Sequence, residues 1–64
     1  MSLSDRDRKL IIGALEEMES IAVQVVLATF ESFVRWFVDQ LPAIYSRVRD
    51  ELRKIWASIK MAFA

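Results

Sequence analysis

The chain of 64 residues contains no cysteine, no histidine and no asparagine, and only one glycine and one proline. Without cysteine there is no disulfide framework to hold a small domain together. Without cysteine or histidine, a zinc or copper site would rest on carboxylates alone, against the ligand preference of both metals. The same gap removes the Glu-x-x-His pairs from which di-iron helical bundles are built. One glycine cannot make a phosphate-cradling loop. Ser4, Ser20, Ser32, Ser46 and Ser58 lack a base partner that would make a nucleophile of any of them. Glu16, Glu17 and Glu19 form the one carboxylate cluster, and with no companion side chain they read as a solvated helix face. No catalytic residue, cofactor or metal site is therefore expected.

Nor is there an excess of charge. Nine cations balance nine anions, so the basic surplus that supplies most nucleic-acid affinity is missing. RNA binding by a dimeric α-hairpin, along Arg47, Arg49, Arg53, Lys54 and Lys60, is a lesser alternative. The balance conceals an asymmetry. Residues 1–40 hold seven acidic and four basic side chains, a net −3, and residues 41–64 hold two acidic and five basic, a net +3. Halves of opposite sign attract, within a chain or between copies, although exposed pairs contribute little.

The chain is rich in apolar side chains, which make up 55% of it, above the usual range for a soluble domain. A domain this small buries only about 60% of the surface its unfolded chain exposes. With disulfides and metals excluded, oligomerisation or an unusually well packed core must supply stability.

Scarcity of turn residues selects an all-α fold. Ser4 precedes Asp5 and Asp7 and is placed to cap a first helix, whose acidic first turn suits the helix dipole. Leu10, Ile11, Ala14, Leu15 and Met18 follow at helical spacing. Gly13 lies inside this stretch, either as a close helix–helix contact, the preferred reading, or as a break. From Ile21 to Val38 the sequence is nearly all apolar. Gln24, Glu31 and Arg35 form a single polar stripe, extended by Ser20 and Asp39, and a helix apolar over most of its circumference needs covering on more than one side. Pro42 marks a divide, since the residue before a proline is pushed out of the helical region and proline suits a first helical turn. Asp39 is a candidate cap for the helix that follows. Beyond Pro42, Leu41, Ile44, Tyr45, Val48, Leu52, Ile55, Trp56, Ile59 and Phe63 recur at threes and fours, with most charges on the other side. Glu31–Arg35 and Asp50–Lys54 are acid-before-base pairs at i,i+4.

The expectation is a single helical domain over residues 1–64, built as a hairpin. A long first helix, continuous or broken near Gly13–Ser20, is followed by a second after Pro42. At 1.5 Å per residue the first would run roughly 55 Å and the second roughly 33 Å, leaving residues 5–19 overhanging. A break near Gly13–Ser20 would permit a three-helix monomer. The favoured solution is a homo-oligomeric bundle, a four-helix dimer of two hairpins. Leu10, Leu15, Met18, Val26, Phe30, Phe33, Trp36, Phe37 and Trp56 are the expected oligomer or partner interface; Trp, Tyr and Arg dominate such surfaces. The aromatic cluster at Phe30, Phe33, Trp36 and Phe37 also has a simpler reading as core packing.

The leading functional expectation is a non-enzymatic assembly module that self-associates and binds a protein partner. The alternative is a membrane-associated amphipathic helix, since residues 21–38 approach spanning length while Glu31 and Arg35 make a simple span costly. No apolar leader follows the mixed-charge start, so a cytoplasmic location is expected, with membrane association as the alternative. On this reading, a charged residue at Val26 or Phe33 disturbs assembly, measured by sedimentation, more than the same change at Arg49.

Overall fold

The computed structural model describes residues 3–64, and every regular element among them is helical. Five α-helices follow one another: α1 (Asp5–Glu16), α2 (Ser20–Ala28), α3 (Phe30–Gln40), α4 (Pro42–Val48) and α5 (Leu52–Ala62), with a 3-10 turn at Arg49–Glu51 joining the last two. The expected long first helix does not form. Residues 5–40 make three helices, and the longest dimension of the molecule is 30 Å. The overhang of residues 5–19 disappears with it. The radius of gyration is 10.5 Å, close to the ~10.7 Å of a compact globule of this length.

The start of α1 follows its sequence. Ser4 has an extended backbone, and its hydroxyl accepts the amide of Asp7 at 3.1 Å. The end of α1 explains the glutamate cluster. Glu16 and Glu17 fall at a helix C-terminus, where the dipole disfavours anions, and no basic residue offsets them. The chain leaves the helix through Glu17 and Met18, and Glu19 becomes the N-cap of α2, where an anion is favoured. The break lies within the expected Gly13–Ser20 interval, but Gly13 is not its cause. Gly13 is an ordinary helical residue of α1, and a Cβ built on it meets no atom within 4 Å. The close-contact reading of Gly13 is therefore corrected.

The second break falls at Thr29, inside the apolar run, where the sequence reading placed a continuous helix. Thr29 adopts φ −131° and ψ 156°. Its hydroxyl accepts the Ser32 backbone amide at 3.1 Å, which caps the new helix, and donates to the Ser32 hydroxyl at 3.0 Å, which fixes the capping rotamer. Across this residue the axis turns by 114°. The third break is the expected one: α3 ends at Gln40, and Pro42 occupies the first turn of α4. Leu41 is the N-cap there and makes no side-chain cap; Asp39, expected in that role, instead accepts a hydrogen bond from the Gln40 side-chain Nε2 at 2.8 Å.

Each helix gives the core residues spaced four apart. These are Ile11 and Leu15, Val23 and Leu27, Phe33 and Phe37, Ile44 and Val48, and, from α5, Ile55 and Ile59 with Leu52 three residues earlier. Such pairs lie one above the other on a helix face. Phe33 stacks near Phe37 at 5.4 Å between centroids, and Phe37 meets Tyr45 at 6.2 Å. Polar ties between distant described residues help close the bundle. Arg47 pairs with the buried Asp7 at 2.8 Å, joining the basic half of the chain to the acidic half. Arg8 donates to Ser58 at 2.6 Å, and Trp56 Nε1 donates to the Leu27 carbonyl at 3.0 Å. By contrast, neither Glu31–Arg35 nor Asp50–Lys54 closes as an ion pair.

Because the space around Gly13 is open and its backbone is helical, Gly13→Ala should stabilise the protein by about 0.5–1 kcal/mol. Thermal unfolding followed by circular dichroism reads this as a raised midpoint.

Candidate interaction surface

The break at Thr29 turns α2 and α3 into two short helices that each bury one face and leave the other outside. α2 carries no charged residue. Val23 and Leu27 point inward, and Ile21, Gln24, Val25 and Ala28, at helical spacing, lie outward. Ile21 is 72% exposed and Val25 61%. On α3, Phe33 and Phe37 are inside, Phe30, Val34 and Trp36 are half-buried, and Val38 is 41% exposed.

Across the outer face of α3 runs the row Glu31, Arg35 and Asp39, all exposed. The row stands between two open grooves. One lies on α3 itself, with Phe30, Val34 and Val38 as its apolar wall. The other lies between α2 and α3, lined by Val25, Val26, Ser32 and Trp36, and shares Arg35 and Asp39 with the first. Among the described residues Arg35 has no carboxylate partner. The result is one continuous patch, apolar on both flanks and charged along a narrow crest.

The nine expected interface residues are distributed unevenly over this fold. Leu15, Phe33 and Phe37 are fully buried in the core of the single chain and have no surface to offer a partner. Met18, Val26, Phe30, Trp36 and Trp56 are half-buried and pack against that core, and Leu10 is 50% exposed on α1. The aromatic cluster is mainly core, as its simpler reading had it. Cations from α5 lie over Phe30 and over its neighbour Trp56: Arg53 is 4.4 Å from the Phe30 ring centroid, and Lys60 is 4.5 Å from that of Trp56.

Ile21, Val25 and Val38, the exposed apolar residues of the patch, were absent from the expected set. Their signal was masked by the assumption of one helix over 21–38, in which Gln24 joins Glu31 and Arg35 in a single stripe. Once Thr29 breaks the helix, Gln24 belongs to one face and Arg35 to another.

Among the described residues no group of three or more acidic side chains is gathered closely enough to hold a metal ion. No single helix among them is long and apolar enough to cross a membrane; α2 and α3 together meet that length and composition but are bent by 114°. Comparison with family models, with curated proteins and with solved structures finds no match for the chain.

Exposure and burial separate the roles of these residues. Ile21→Lys should leave unfolding free energy within about 0.5 kcal/mol of the parent, as surface changes do, whereas Phe33→Ala should cost about 3–5 kcal/mol. Urea denaturation of both variants checks the contrast.

Proposed function

We propose that the protein is a small non-enzymatic assembly module, which self-associates and presents a helical surface to a protein partner. The observation that carries this reading is the α2–α3 patch, with Ile21 and Val25 more than half exposed on a helix that holds no charge. A contiguous apolar patch on a small soluble domain marks an interaction site. The closed core changes the form of the proposal. Covering residues 5–19 no longer requires a second chain, because Ile11 and Leu15 are already buried. Association is thus docking between folded units rather than completion of an open hairpin, and the four-helix dimer of two hairpins gives way to a dimer of compact helical bundles. A net charge of zero removes the long-range repulsion that keeps copies apart.

Membrane association is the second reading, favoured by the joint length and hydropathy of α2 and α3. It would require the patch to lie in the interface plane, with Arg35 and Asp39 at headgroup level.

Sedimentation equilibrium across a range of protein concentrations, with and without vesicles, separates the two. The expected result is a concentration-dependent soluble oligomer whose mass is unaffected by lipid. A dilution-independent monomer that partitions onto vesicles would replace the first reading by the second.

A further inference from the structure

The outer face of α3 has a property that a generic sticky patch lacks: its charges are self-complementary. The row Glu31, Arg35, Asp39 alternates in sign at a spacing of four, which is one of the natural ridges of an α-helix. Beside it runs the groove bounded by the parallel row Phe30, Val34, Val38. A ridge of this type packs into the equivalent groove of a second helix at roughly −50°. If that second helix is α3 of another copy, related by a twofold axis, each copy's ridge enters the other's groove. An isologous contact of this kind uses the same patch twice and closes on itself.

The register follows from the surroundings. Arg35 and Asp39 border both grooves, whereas Glu31 borders only one. The segment flanked by apolar walls on both sides is therefore Arg35–Asp39. An axis passing midway between these two residues sets Arg35 of each copy against Asp39 of the other. Val34 and Val38 then pack on the stem of the opposing Arg35, which covers apolar surface with its methylenes. Val25, on the far side of the ridge, lies at the edge of the same contact.

We propose that the occupant of this face is a second copy of the chain, docked antiparallel through α3 with two reciprocal Arg35–Asp39 contacts. This rests on the self-association reading and gives it an address. Charge-reversal variants test it. Arg35→Asp places two carboxylates opposite each other at both contacts, and Asp39→Arg places two guanidinium groups opposite each other. Mixing the two variants in equal amounts restores opposite charges at both contacts of a heterodimer. Glu16→Arg and Arg49→Asp, at exposed positions off this face, supply the same changes in net charge as controls. Circular dichroism checks that each variant keeps its helices.

Sedimentation equilibrium should show each single variant dimerising at least about tenfold more weakly than the parent, with the equimolar mixture returning to within roughly threefold of it. The controls, alone or mixed, should match the parent. If the parent dimerises and the α3 variants dimerise equally well, this interface is overturned while self-association stands. A parent that stays monomeric at every concentration overturns self-association itself. Should that monomer float with neutral phosphatidylcholine vesicles, lipid rather than a second copy covers the face.

Discussion

The threonine at position 29 determines what the rest of this chain can do. As one continuous helix, the eighteen nearly apolar residues 21–38 would present more apolar surface than a single short partner could cover. Interrupting it at Thr29 places Val23 and Leu27 on one wall of a core and Phe33 and Phe37 on another, with a turn of 114° between them. The interruption costs backbone hydrogen bonds, and the neighbouring groups make them good. Thr29 satisfies the start of α3 through Ser32, and Trp56 reaches across from α5 to the Leu27 carbonyl near the end of α2. Unsatisfied helix ends are otherwise a liability inside a protein. One capped turn and one indole donor thus convert an unmanageable helix into two ordinary ones.

The other ties act on the consequence of that turn. With α2 and α3 folded against each other, α1 returns to lie by α4 and α5, where Asp7 meets Arg47 and Arg8 meets Ser58. The opposite net charges of the two halves therefore find expression within one chain. What remains outside is the surface that the turn could not hide: the far side of α2, and the charged crest of α3 with its apolar flanks. Among the described residues, packing all five helices around eleven buried apolar side chains leaves no second layer to cover their outer faces.

Much of this was legible in the residues. The all-helical fold followed from the missing turn residues, the α1 cap from Ser4, the divide from Pro42, and the inward stripe of the second half from its spacing. The glutamates at 16, 17 and 19 carried more than the solvated face they resembled, because their charges sit badly at one helix end and well at the next start. Thr29 was harder to read. A lone threonine amid Val, Leu and Phe has no flanking glycine or proline, and its capping partner is Ser32 rather than the more recognisable glutamate. Local propensity over 21–38 favours continuity; the tertiary gain of splitting an all-round apolar helix overrides it. The break also bears on Phe33 and Phe37, for which the residues allowed both an interface and a core reading; both are buried in the core of the single chain. Whether a polar stripe is one face or two depends on a break that only packing reveals.

The most direct measurement is the backbone conformation of Thr29 itself in solution. Assigned nuclear magnetic resonance spectra give Cα and Cβ shifts residue by residue along the apolar run. A capped break predicts helical values over Ser20–Ala28 and Phe30–Gln40, separated by extended values at Thr29. Unbroken helical values from Ser20 to Gln40 would contradict it, and with it the closed core and the outward face of α3.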